Sequence, residues 1–352
     1  MKLLDKTVSK IVPQDSEKRL LAKTRLDQLT MPHWALGRLM DLAMDLAGIY
    51  RTIKPQIKAK VIVTMAADHG VALSGVSKYP AEVTCQMVRN FVNGGAGVNA
   101  LARVSNTDVV VVDMGVAGDI SDLENQKLIV SRRIASGSKN MLEGPAMTRD
   151  EAVASIEAGI EIALDLGQKY DIFGSGEMGI GNTTPSSAIT SLITGTSVRE
   201  VTGRGTGIDE AQFNHKVSVI EKSIKTNKPQ VSDPIDILSK VGGFEIGGIA
   251  GLILGAASLS KPIVVDGFIS TAGALIAQAI CPISEQYMIA AHNSVEQGHT
   301  AALSKLGKKP LLDLEMRLGE GSGAALAMSI VEASVKVLTE VATFEEASVS
   351  KG

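Results

Sequence analysis

The chain of 352 residues carries 35 Lys and Arg against 38 Asp and Glu, a formal net charge of −3, with 45% hydrophobic and 21% charged side chains. These values describe an ordinary globular protein with room for a large core. Few aromatics (6 Phe, 4 Tyr, 1 Trp) and no basic excess argue against a nucleic-acid binder, and the isolated Cys85 and Cys281 rule out a disulfide scaffold or a cysteine zinc site.

The N-terminal segment is interrupted by charges and lacks the apolar run of a signal peptide. Residues 1–56 are expected to be mostly helical. Leu20, Leu21, Leu26 and Leu29, then Leu36, Leu39, Met40, Ala43 and Leu46, recur largely at three- and four-residue spacing, with Pro32 interrupting and Pro55 closing the segment. From Lys60 the texture changes to short β-branched apolar runs. Strands are expected at Val61–Ala67, Asp108–Gly115, Lys169–Gly174, around Ile253-Leu254, and at Pro262–Gly267. Helical patterns lie between them at Glu151–Leu166, Gln212–Ser223 and Ile269–Ile280, and a last helix is expected from Ala324 to about Val341. Continuous apolar strands alternating with helices indicate a parallel sheet covered on both faces, which binds ligands beyond the carboxyl ends of its strands. The longest apolar stretch, Ile246–Leu259, is too short to cross a bilayer and is expected in the core. No membrane association is expected, and the chain is expected to be cytoplasmic.

Glycine is abundant, 35 residues, and clustered. In the first cluster, Gly174-Ser175-Gly176-Glu177-Met178-Gly179-Ile180-Gly181-Asn182-Thr183-Thr184-Pro185, freed backbone N–H groups would close on a phosphate at a helix N-terminus. Residues 174–179 also satisfy the GxGxxG dinucleotide pattern, but Glu177 lies inside the segment, where it would face a pyrophosphate. The second cluster, Gly203–Asp209, places Arg204 and Thr206 among glycines and is followed by Lys216; Arg204 is either a phosphate contact or a surface ion pair. The third, Arg317-Leu318-Gly319-Glu320-Gly321-Ser322-Gly323, brackets a carboxylate with glycine just before a helix. That Glu320 is either a general base raised by desolvation or a solvated turn residue. Asp68-His69-Gly70 and Asp266-Gly267 end strands. Their types suit a metal, but no second His stands at ligand spacing, so they are expected to hydrogen-bond and position loops, with no metal site. His292 and His299, seven apart, are compatible with one helix face. The segment Val76–Val88 followed by Asn93-Gly94-Gly95-Ala96-Gly97 is either a wall for a flat ligand, with Ser77 and Gln86 as polar contacts, or a plain amphipathic helix.

Taken together the motifs resemble, in order and over nearly the whole chain, the nicotinate-nucleotide:dimethylbenzimidazole phosphoribosyltransferase family of cobalamin nucleotide-loop assembly. They are Ala67–Gly70, Tyr79-Pro80-x-Glu82-Val83-Thr84-x-Gln86-Met87, Gly176–Thr184, Gly203–Gly207, Gly242–Ile246, Val265–Phe268 and Arg317–Gly321. The resemblance implies transfer of the phosphoribosyl group of nicotinate mononucleotide to 5,6-dimethylbenzimidazole, giving α-ribazole 5′-phosphate and nicotinate. It implies Glu320 as catalytic base and Glu177 as a second catalytic carboxylate. Phosphate and ribose contacts would come from Gly176, Gly179, Gly181, Asn182, Gly203, Gly205 and Lys216, and the base pocket from Ser77, Gln86 and Leu318. It implies no cofactor, a homodimer, and a Rossmann-like parallel α/β fold (57–323) with a small helical domain formed by residues 1–56 and 324–352.

Two other readings stand beside this one. A nicotinamide-dinucleotide oxidoreductase would use the 174–179 glycines and need an acidic ribose ligand about 20 residues on, for which Glu200 is the rough candidate. A non-catalytic nucleotide sensor would keep the phosphate cradle but has no use for a base at Glu320.

Overall fold

The computed structural model describes residues 2–205 and 209–350; Thr206, Gly207 and Ile208 of the second glycine cluster lie outside the described residues. In chain order the elements are α1 (Leu3–Val8), α2 (Ser16–Leu26), α3 (Arg38–Ile49), β1 (Lys60–Ala67), α4 (Glu82–Val92), α5 (Gly97–Val104), β2 (Asp108–Gly115), α6 (Ser121–Asn125), β3 (Val130–Ser131), α7 (Arg149–Leu166), β4 (Ile172–Met178), α8 (Thr183–Thr194), α9 (Val198–Val201), α10 (Glu210–Asn227), α11 (Pro234–Val241), α12 (Phe244–Ser258), β5 (Ile263–Val265), α13 (Phe268–Ile280), β6 (Met288–Ala290), α14 (Gln297–Leu306) and α15 (Ser322–Glu340).

The strands form one parallel sheet in the order β3-β2-β1-β4-β5-β6. This is a doubly wound order whose direction reverses between β1 and β4, where the crevice beyond the strand ends receives ligands. The alternation of β1 assigns its faces. Val61, Val63, Met65 and Ala67 join one core layer with α7, α12 and α13; Ile62 and Ala66 join the opposite layer with α4, α5 and α15. Thr64 points to this second face, toward the loop before α15.

The expected strand around Ile253-Leu254 is instead the middle of α12. A continuous apolar run does not distinguish a buried strand from a helix buried on all sides, and every residue of α12 through Ala257 is buried. The glycines make this possible: a Cβ on Gly251 would stand 1.9 Å from the Ile156 carbonyl oxygen and one on Gly159 1.9 Å from that of Gly248, so α7 and α12 touch backbone to backbone. The short β3 and β6 have no counterpart among the expected strands.

At the other end, α2, α3 and the last turns of α15 share a small core of Ala22, Leu26, Leu29, Met40, Ala43, Ala47 and Leu338. The first turns of α15 belong to the sheet layer through Ala324, Ala325 and Met328. Helix α15 is long and apolar enough to cross a membrane by composition alone, but it is packed within the fold. Helix α1 lies against α7 and α12, its Leu4 N–H donating to Glu157.

Candidate active site

The residues 319–321 turn back in a conformation that L side chains rarely adopt: φ is +81° at Gly319, +65° at Glu320 and +99° at Gly321. For Glu320 this costs on the order of 1 kcal/mol, and four hydrogen bonds enforce it. Thr64 Oγ1 donates to the Glu320 carbonyl at 3.0 Å, and the Glu320 N–H donates to Glu177 Oε1 at 3.3 Å. The N–H groups of Gly321 and Ala324 donate to Asp266 at 3.2 and 2.9 Å. Space requires glycine as much as φ does, since a Cβ on Gly319 would stand 2.2 Å from Glu177 Oε1. The turn aims the Glu320 carboxylate at the N-terminus of α5, where Oε2 accepts the Val98 N–H at 3.0 Å. Glu320 is buried, and desolvation lifts its pKa above the ordinary carboxylate value; the Val98 and Gly97 amides oppose that rise and the charge of Asp266 adds to it. The group is a carboxylate of increased basicity fixed in one direction.

Glu177 ends β4 beside it. Its Oε2 accepts from Asn182 Nδ2 at 2.5 Å. Burial, opposed by the Asn182 amide and reinforced by the charges of Asp266 and Glu245, pushes it up to about 8. Gly174 and Gly176 lie inside β4, not in a strand-to-helix turn, so the GxGxxG spacing has no dinucleotide-binding geometry here. Gly176 is bare because the Glu320 carbonyl would stand 2.2 Å from its Cβ. Gly179, Gly181 and Asn182 form the true turn from β4 into α8. Glu200, the rough ribose ligand of the dinucleotide reading, is engaged in a capping box with Ser197.

A second cluster forms where α8 begins. Lys216 of α10 is buried, and its ammonium donates to Thr183 Oγ1 at 2.7 Å. A Cβ on Gly205 would lie 3.4 Å from that nitrogen and 3.2 Å from Thr183 Oγ1, so the 203–205 backbone, Thr183 and Lys216 line one cradle. Desolvation lowers Lys216 to about 8 against the pull of Glu296. Arg204 instead takes the surface ion pair, with Glu210, and stacks over Phe213.

Of the expected base-pocket residues, Leu318 is brought to Glu320: a Cβ on Gly97 would meet Leu318 Cδ2 at 2.5 Å and Glu320 Oε2 at 3.3 Å. Leu318 is 56% exposed, so it stands at an open rim. Ser77, which accepts the Tyr79 N–H, precedes α4, and the exposed Gln86 lies on α4; this helix reaches the 179–182 turn through Thr84 Oγ1, which accepts the Ile180 N–H at 3.1 Å.

Asp68 and Asp266 act at strand ends as loop anchors, Asp68 accepting the Ala117 N–H at 2.7 Å. His69 has a partner that its motif did not reveal: its Nε2 lies 2.7 Å from Glu245 Oε1 with both side chains buried. Burial alone would lower the pKa of His69, but Glu245, Asp68 and Glu177 outweigh it and the net shift is upward. His292 and His299 do not share a helix face, because His292 precedes α14. Burial drives His299 down to about 3; its Nδ1 accepts the Ser294 N–H, so Nε2 donates to Thr271. No group of three or more His, Cys, Asp or Glu suited to a metal ion exists among the described residues.

A family model described as a phosphoribosyltransferase matches residues 11–349. A nicotinate-nucleotide–dimethylbenzimidazole phosphoribosyltransferase of Syntrophotalea carbinolica is 62% identical over 352 residues, covering 100% of both chains. One from Desulfotalea psychrophila is 57% identical over 351 residues, 99% of each. Among solved structures, the enzyme of that name from Thermus thermophilus is similar with a TM-score of 0.90 at 40% identity, covering 96% of this chain and 100% of its own.

Proposed function

We propose a reaction and a division of labour for a chain that belongs to the nicotinate-nucleotide–dimethylbenzimidazole phosphoribosyltransferase family. The enzyme transfers the phosphoribosyl group of nicotinate mononucleotide to 5,6-dimethylbenzimidazole, forming α-ribazole 5′-phosphate and nicotinate for the lower ligand of a cobalamin. The observation that carries the assignment of roles is the Glu320 carboxylate, held by a strained three-residue turn against β1 and β4, where the strand order reverses.

One benzimidazole nitrogen attacks C1′ as the other surrenders its proton to Glu320. The C1′–N bond to the pyridinium breaks with its electron pair, leaving nicotinate with an uncharged ring nitrogen, and the anomeric carbon inverts from β to α. The leaving group has no pyrophosphate charge for a metal to neutralise. Proton removal by a placed base contributes about 10²- to 10⁴-fold; alignment of both bases with C1′ supplies much of the remainder. Glu177, ionised when the cationic substrate is present, faces the positive charge that develops on the ribose. The α8 N-terminal turn with Gly179, Gly181 and Asn182, the 203–205 backbone and Lys216 receive the 5′-phosphate, and Gly176 keeps the floor of the site thin. Leu318, Ser77 and Gln86 flank the entering base. A cytoplasmic homodimer, with residues 1–56 and 324–352 forming the small helical domain, completes this reading.

The test mixes the purified protein with nicotinate mononucleotide and 5,6-dimethylbenzimidazole, benzimidazole, adenine or p-cresol, or no base, and separates the products. Nicotinate appearing together with an α-nucleotide is the expected result. Nicotinate released equally without any base would make the protein a hydrolase and remove Glu320 from its role.

A further inference from the structure

The phosphate cradle contains a group with no ordinary place in an anion site. Glu296, the residue before α14, is 8% exposed, and its Oε2 has no hydrogen-bond partner among the described residues. A Cβ on Gly203 would stand 1.7 Å from that oxygen, so the carboxylate rests directly on the Gly203 backbone, and the Gly205 amide favours its charge. Burial raises its pKa, while Lys216, the Gly205 amide and Arg317 pull it back. Leaving a buried carboxylate oxygen unpaired is costly. Yet the groups that favour the charge of Glu296, the Gly205 amide and the Lys216 ammonium, are those that an incoming phosphate needs. A cavity of about 480 Å³, lined by Arg199, Glu200, Arg204, Glu210, Phe213 and Gln297, opens at Arg204 and Gln297, the chain neighbours of Gly203 and Glu296.

We propose that Glu296 is an internal anion that occupies the cradle of the unliganded enzyme, and that the 5′-phosphate of the mononucleotide binds by displacing it from the 203–205 backbone. This rests on the assignment of the cradle to the phosphate. Two anions do not share one set of donors without cost, so the carboxylate swings toward the side cavity or takes up a proton and becomes a donor to the phosphate. Glu296 thereby selects ligands: only an anion that offers more charge and more acceptor oxygens than a carboxylate displaces it, which favours the mononucleotide over the riboside.

The charged groups facing Glu296 are few. Lys216 comes from α10 and titrates near 8. Arg317 comes from the segment before the Glu320 turn. Arg199 and Glu200 of α9 are engaged with Asn214 and Ser197, and Arg204 with Glu210. His299 on α14 is neutral above about 3. Protonation of Glu296 therefore strengthens anion binding as pH falls, below the range in which Lys216 loses its charge.

The experiment measures calorimetric binding of sulfate, a dianion that does not titrate here, and of nicotinate mononucleotide to the full-length protein and to Glu296→Gln, from about pH 5 to 7.5. The variant is expected to bind sulfate at neutral pH about 10-fold more tightly than the wild type, a gain that narrows as pH falls because only the wild type tightens. Equal or weaker sulfate binding in the variant, with the wild-type pH profile retained, overturns the displacement. So does unchanged sulfate affinity with weakened mononucleotide binding, which would make Glu296 a ribose ligand. If neither protein binds sulfate or mononucleotide at any pH, the cradle assignment falls and the displacement with it. Glu296→Ala repeats the comparison should the Gln variant melt early.

Discussion

The backbone N–H of Glu320 donates to Glu177 Oε1 across 3.3 Å, so the side chain of one carboxylate residue holds the main chain of the other. The same contact closes the left-handed turn that aims Glu320 at α5. Position and basicity are therefore set together, and the two groups are separable only by substitutions that keep the turn.

Glu320→Gln is such a substitution. Its amide oxygen still accepts the Val98 N–H, and the backbone bonds to Thr64, Glu177 and Asp266 are untouched. Turnover should fall by about 10²-fold or more with little change in mononucleotide affinity. Steady-state kinetics with a direct binding titration check this, and wild-type turnover would take Glu320 out of the mechanism.

Glu177 makes a prediction about protons. With its pKa near 8 it is mostly protonated at neutral pH in the unliganded enzyme. The cationic pyridinium of the mononucleotide favours the ionised form, so binding should release protons. Calorimetry in buffers of different ionisation heat should find release approaching one proton at about pH 7 in the wild type and much less in Glu177→Gln. Stability carries the same signature. A carboxyl whose folded pKa is raised from 4.5 binds its proton more tightly when folded, so its contribution is full below about 4.5 and is lost as pH rises through about 8. The melting temperature of Glu177→Gln relative to wild type should therefore climb between about pH 5 and pH 9; a constant difference would mean that Glu177 titrates normally.

Much of this site was legible because glycine clustering marks backbone that must turn or approach closely. Glu320 between two glycines is the clearest instance, and the structure supplies the reason in three consecutive positive φ values. The β1 and β2 runs were legible through β-branched continuity. Legibility failed where a local pattern has two physical readings. The glycine spacing of α12 is a helix–helix seam, but the run around Ile253 is equally apolar as a strand. Gly174 and Gly176 fit a phosphate-loop pattern yet are strand residues thinned for a crossing chain. Contacts made over long separations left no local trace: Glu245 stands in the first turn of α12, and nothing near it in the sequence announces His69, 176 positions away. Glu296 was missed for the same reason, since its partner surface is the bare backbone of Gly203 and Gly205.

Lys216 is one of the largest fully buried side chains, and its hydrogen bond to Thr183 leaves donor capacity facing the 203–205 backbone. Lys216→Ala should weaken mononucleotide binding about 10- to 100-fold, the range of a hydrogen bond to a charged group. The corresponding riboside, which lacks the phosphate, should bind both proteins alike. Equal losses for the two ligands would assign Lys216 to the ribose or to the fold.

Asp266 tests how far the fold itself positions the base. Gly321, the residue before α15, has no side chain to cap the helix, and Asp266, just after β5, does so from 55 positions away by accepting the Gly321 and Ala324 N–H groups. Asp266→Ala leaves both buried amides unpaired, at about 1–3 kcal/mol each, and frees the turn that carries Glu320. Asp266→Asn keeps one acceptor and most of the volume. Turnover of Asp266→Asn should drop by about 10- to 100-fold, because small displacements of an aligned base are costly. Its KM for the mononucleotide should stay near wild type, since the cradle lies on other elements. Urea unfolding should rank the alanine variant well below the asparagine one. A loss of stability with turnover intact would confine Asp266 to capping α15 and leave the Glu320 turn to hold itself through Thr64 and Glu177.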